Sequence, residues 1–65
     1  MKPHQERVVT EKSELDSKRE KLTTFIGGET YRTLDALEQS RLNRQLEAMT
    51  LYSNILAERI AAFAP

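Results

Sequence analysis

The stretch "IGGETYRTLDALE", Ile26 to Glu38, decides the fold. Two adjacent glycines follow a segment that holds neither Gly nor Pro from His4 to Phe25. Glycine is the preferred residue just past a helix C-terminus, so one helix should stop here. A few residues later Asp35 is placed to accept from the N–H three positions on while Glu38 reaches back. That reciprocal capping box opens a second helix.

Working outward, Pro3 fits a first helical turn, where its missing N–H costs nothing. The reading is a single domain over residues 1–65, with helix one at about 4–25, a linker at about 26–35 and helix two at about 36–62. Within the linker, "ETYRTL" suits a short helical turn that lays Tyr31 and Leu34 on the main body. Two long helices with a short connection form an antiparallel hairpin. The fold class is therefore all-α, with no internal repeat and no low-complexity segment.

Seven-residue spacings set the seams. Val8, Leu15 and Leu22 form one series in helix one, and Phe25 and Ile26 should close its end. In helix two, Leu42, Met49, Leu56 and Phe63 form another, with Leu46 and Ile60 beside it. Helix one has a gap in this scheme. Where a second apolar row belongs it carries Glu11–Lys12 and Lys18–Arg19, and a lone hairpin with so thin a stripe lacks a sufficient core. Helix two shows the opposite, with Ala48, Leu51, Ile55 and Ala62 left over on a second side. That surplus should pack against the same element of another chain, giving a homo-oligomeric, coiled-coil-like helical bundle.

Bulk properties agree. A chain of 65 residues buries only about 60% of the surface its unfolded form exposes, and small proteins commonly add disulfides, metals or further subunits. There is no Cys, which removes the disulfide and weakens any case for a structural zinc. Ten Lys and Arg balance ten Asp and Glu, so the basic excess of a nucleic-acid binder is missing. The beginning "MKPHQERVV" lacks the apolar core of a signal peptide, and "IAAFA" is far short of a membrane span. The expectation is a soluble intracellular protein with no membrane partner.

Catalytic constellations do not emerge. His4 is the sole histidine and lies near a terminus, where a solvated side chain is the plain reading. With neither Cys nor a placed His, a nucleophile has no activating base. "GGETYR" lacks the spacing of a phosphate loop, and Glu14–Lys18 reads as an ordinary i,i+4 surface pair. No metal, cofactor or enzymatic activity is expected.

Polar groups beside the seams do stand out, Arg7, Lys12, Lys18 and Arg19 on helix one and Arg44, Gln45, Tyr52, Asn54 and Arg59 on helix two; of these Lys12, Arg19, Arg44, Gln45, Tyr52 and Arg59 are the candidates for a ligand site. Taken singly, each long cation could simply lay its stem along the seam with a solvated tip. Gln45, Tyr52 and Arg59, however, recur every seven residues along one side of one helix. Tyr can stack on a ring, Arg can grip a phosphate with a two-pronged fork, and Gln can read a polar edge. If hairpins assemble, that row becomes the wall of a pocket between subunits, suited to a small anion.

The runs "ERVVTEKSELDSKREKLTTFI", "YRTL" and "EQSRLNRQLEAMTLYSNILAERI" resemble a family of very short proteins of tailed phages, crAss-like phages included. Glu11–Lys12, Gln45–Leu46, Tyr52 and Arg59–Ile60 are the distinctive points of that likeness, which spans nearly the whole chain. It is similar in physical type to phage sponges, which hold the nucleotide second messengers of Thoeris or CBASS immunity between subunits without cleaving them. The resemblance implies an anti-defence protein in the cytoplasm of an infected bacterium, binding a cyclic nucleotide or an ADP-ribose derivative such as a cyclic ADP-ribose isomer. Lys12, Arg19, Arg44 and Arg59 would then meet phosphates, Tyr52 would stack on a base, and Gln45 would bond a base edge or ribose. The alternative is a small coiled-coil adaptor whose spare face on helix two grips a host or phage protein. A nucleic-acid-binding regulator is a third class, disfavoured by the neutral charge.

Overall fold

A computed structural model describes residues 1–63. Three helices follow one another, α1 (Pro3–Ile26), α2 (Glu29–Thr33) and α3 (Ala36–Ala61), and no strand occurs among the described residues. Pro3 holds the first position of α1, and the Lys2 backbone N–H donates to Gln5 Oε1 at 3.0 Å. At ~1.5 Å per residue α1 is roughly 36 Å long and α3 roughly 39 Å. The molecule is a rod of 49 × 14 × 14 Å. Its radius of gyration is 14.9 Å, against about 11 Å for a compact chain of this length.

Cross-helix hydrogen bonds fix the direction and register of the pair. Asp16 meets Ser53, while Arg19 meets Thr50. Moving three residues forward along α1 thus moves three residues back along α3, which is antiparallel packing.

The break between the long helices falls at the glycine pair as expected, without the left-handed conformation that glycine often supplies at a helix end. Neither Gly27 nor Gly28 has positive φ. Gly27 closes α1 in right-handed geometry, its N–H donating to Thr23 O at 3.2 Å. Gly28 then turns to φ −95°, ψ 177° and begins α2. The glycines act through poor helix propensity, about 1 kcal/mol each relative to Ala, rather than through a conformation closed to other residues.

The segment read as a linker over 26–35 is therefore helical at Glu29–Thr33. Tyr31 ties it to the start of α3. Its carbonyl accepts from Gln39 Nε2 at 2.9 Å and its hydroxyl oxygen accepts from Asn43 Nδ2 at 2.7 Å. Asp35 caps α3 as expected, accepting from the Glu38 N–H at 2.8 Å. The reciprocal arm is absent, because the Glu38 carboxylate accepts from Arg41 Nε at 2.7 Å instead.

The core is thin. Val8 and Leu56 are its buried apolar side chains, and Ser53 is buried between the helices with them. Leu15, Leu22, Leu42, Leu46, Met49 and Ile60 are half-buried along the same seam. Phe25 does not close the end of α1; it remains exposed while Ile26 turns partly inward.

Candidate functional site

The positions of α3 that face α1 follow one another at alternating steps of three and four residues through 39, 42, 46, 49, 53, 56 and 60. On α1 the corresponding series is 5, 8, 12, 15, 19, 22 and 26. Lys12 and Arg19 therefore occupy seam positions, where a coiled coil wants apolar residues. What makes this tolerable is Asp16. Its carboxylate lies one helical turn from each cation, accepting from Lys12 Nζ at 2.6 Å through Oδ2 and from Arg19 Nη1 at 3.0 Å through Oδ1. From the other helix, Ser53 Oγ donates to the same Oδ1 at 2.5 Å. Arg19 Nε reaches Thr50 Oγ1 at 3.4 Å, and the Thr50 hydroxyl donates to Leu46 O at 2.9 Å.

Ser53 takes the seam position one heptad after Leu46 and one before Ile60, where an apolar residue would continue the row. A Leu there would leave two seam cations with one fewer anchor for their shared carboxylate. Asp16 and Ser53 were not among the residues singled out from sequence. The available signal was spacing: Asp16 is four residues after Lys12 and three before Arg19, the separations at which side chains meet on one helix face. The pair read from sequence, Glu14–Lys18, forms no ion pair among the described residues.

The Lys12 ammonium beside Asp16, then the Ser53 hydroxyl and the Arg19 guanidinium, hold its carboxyl well below the usual carboxylate range. Partial burial opposes them and loses. Because the folded value is depressed, the folded chain binds fewer protons than the unfolded chain near the acid limit. The stabilisation is complete above the unfolded pKa of about 4 and disappears as pH falls from there through the folded value. The thermal midpoint should therefore fall on acidification more steeply for the natural chain than for Asp16→Asn. Parallel curves for the two proteins would show that Asp16 carries no linked stabilisation.

The six residues singled out from sequence divide into two groups. Lys12 and Arg19 join the Asp16 network. Arg44, Gln45, Tyr52 and Arg59 are exposed on α3. Tyr52 is 40% exposed, and the Gln45 amide contacts Met49 Sδ at 4.0 Å. Helical spacing interleaves the row 45, 52, 59 with Ala48, Ile55 and Ala62. The result is a second stripe with the same alternating three- and four-residue steps as the first seam, turned away from α1. One row farther round stand Leu37 and Leu51, 72% and 63% exposed.

Two shallow, open grooves flank the hairpin. One, of about 440 Å³, is lined by Val9, Lys12, Ser13, Asp16, Ser17, Glu20 and Ile60. The other, of about 530 Å³, is lined by Asn43, Leu46, Glu47, Thr50, Leu51 and Asn54. Of the six predicted residues, Lys12 alone lines either groove. The first holds one cation against two carboxylates, and the second holds a single carboxylate. Neither groove of a solitary chain offers an anion a favourable field. Among the described residues no group of three His, Cys, Asp or Glu side chains is arranged to hold a metal ion, and His4 is exposed. Among the described residues no helix is long and apolar enough to cross a membrane.

A protein-family model described as Sequestin matches residues 2–62. No curated protein and no solved structure matches the chain.

Proposed function

The chain belongs to the Sequestin family, and from that premise we propose that it binds and sequesters a small anionic nucleotide without chemical conversion. The observation that carries this reading is the second stripe of α3, where Gln45, Tyr52 and Arg59 alternate with Ala48, Ile55 and Ala62. An apolar stripe interrupted by an aromatic hydroxyl, an amide and a guanidinium has the side-chain types of a nucleotide pocket. Its exposure in the single chain supports a pocket completed by another copy. The family's name, which denotes sequestration, supports holding over turnover.

The ligand class we infer is a nucleotide second messenger of bacterial immunity, a cyclic nucleotide or an ADP-ribose derivative of the Thoeris or CBASS kind, met in the cytoplasm of a phage-infected cell. Tyr52 stacks on a base, Arg59 takes a phosphate in its fork, and Gln45 bonds a base edge or ribose. Arg44 stands at the edge of that wall. Lys12 and Arg19, already sharing one carboxylate, add positive charge from α1. A sponge has to hold its signal below the receptor's threshold, and nanomolar affinity corresponds to about −12 kcal/mol. Such affinity requires a desolvated pocket formed before the ligand arrives. The exposed Leu37, Leu51 and Ile55 give the rival reading, an adaptor for another protein, its physical basis.

A thermal-shift screen of the purified protein against cyclic dinucleotides, cyclic trinucleotides and ADP-ribose isomers tests the proposal. A ligand that prefers the folded state raises the melting temperature, by an amount set by its concentration over its dissociation constant. At least one nucleotide should do so and be recovered intact. Silence across the panel would leave the adaptor as the better account.

A further inference from the structure

We infer that α3 pairs with α3 of a second copy in an antiparallel, two-fold symmetric contact centred on Leu51, and that this contact assembles the nucleotide site from two chains. The inference deepens the proposed function and rests on it for the nucleotide row; the pairing of the helices itself requires no ligand.

Leu37, Arg44, Leu51 and Glu58 recur every seven residues on the side of α3 away from α1, next to Ala48 and Ile55. All six are exposed. The charges are distributed antisymmetrically. Arg44 lies seven residues before Leu51 and Glu58 seven residues after it, so each is displaced by ~10.5 Å along the helix from Leu51. Neither forms an ion pair among the described residues. A two-fold axis perpendicular to α3 at Leu51 brings Arg44 of each copy level with Glu58 of the other, twice over. The same operation places Leu51 against its own image and Ala48 nearly level with Ile55 of the second copy, a small residue facing a large one. Parallel pairing would set Arg44 beside Arg44 and Glu58 beside Glu58, and like charges in register repel. The surface is thus self-complementary in one direction only, as a two-fold interface requires.

The axis has a consequence for the ligand. A two-fold perpendicular to both helices keeps each flank of the contact on its own side. The rows Gln45, Tyr52 and Arg59 of both copies therefore line the same flank. Tyr52 approaches Tyr52 of the second copy at the centre, and each Arg59 comes level with Gln45 of the other chain. This gives two ring faces between two guanidinium–amide pairs, a layout suited to a nucleotide with two bases or to two nucleotides. It also assigns Arg44 to the contact between chains rather than to a phosphate.

The test is a charge swap on the nucleotide-free protein, read by sedimentation equilibrium. Arg44→Glu alone and Glu58→Arg alone should each weaken self-association about tenfold or more, because each opposes like charges at two places. Arg44→Glu combined with Glu58→Arg should restore it to near the natural value. The chain has no cysteine, so single substitutions report geometry cleanly. Leu51→Cys should form a disulfide with its own image under mild oxidation, and Arg44→Cys should not, since its image lies ~21 Å away along the helix. A double variant no better associated than the single ones would overturn the inference, as would Arg44→Cys linking as readily as Leu51→Cys. Because no nucleotide is present, failure here leaves ligand binding to be judged separately, and a silent ligand panel does not touch this result.

Discussion

Leu56→Ala is expected to remove about 2–5 kcal/mol of stability, the usual range for deleting a buried leucine and leaving its cavity. The site warrants the upper part of that range. Leu56 is fully buried, and Val8 is the one other buried apolar side chain among the described residues. Neighbours on a two-helix rod have no third layer from which to collapse into the hole. A chain of 65 residues has roughly 3–10 kcal/mol in total at 0.05–0.15 kcal/mol per residue. One substitution therefore consumes a large share of the whole. Urea denaturation followed by circular dichroism measures it. A loss below about 1 kcal/mol would mean that the α1–α3 seam is not the core.

Arg59→Glu is expected to weaken nucleotide binding by about two orders of magnitude or more, taking ~3 kcal/mol for a lost charge-assisted hydrogen bond. The introduced carboxylate adds repulsion against phosphate on top. Tyr52→Ala should weaken binding as well, through lost stacking worth ~1–3 kcal/mol per base. Both side chains are exposed and neither belongs to the buried core. Both variants should therefore keep their helical content and elute as the same assembly in size-exclusion chromatography. Calorimetry with the nucleotide that gives the largest thermal shift provides the readout. Unchanged affinity in both variants would remove the row from the site, and loss of the assembly would make the row structural.

Much of the hairpin was legible because its devices are local. The Asp35 cap, the glycine pair, and the series through Val8, Leu15 and Leu22 each need only neighbours within a turn or a heptad. The half of the seam that was hard to read depends on a contact between residues far apart in the chain. Lys12 and Arg19 looked like defects in an apolar row, and only the carboxylate of Asp16 joined to Ser53 across the interface shows how they are neutralised. Glu14–Lys18 had an equally good spacing on paper, but helical pitch places Asp16 against α3. Phe25 was read as a lid because it is large and apolar, yet it lies a step off the seam. For the site, the row Gln45, Tyr52 and Arg59 followed from its seven-residue spacing beside the seam, and its exposure is what the structure adds. The separation of that row from Lys12 and Arg19 did not follow, because it depends on which way two long side chains turn, and Asp16 decides that.

Native mass spectrometry of the purified protein at micromolar concentration, with the nucleotide panel added, is the most direct test. The account predicts an assembled species of two or more chains that carries nucleotide at its unaltered mass. A stably folded solitary chain that retains no nucleotide would contradict it.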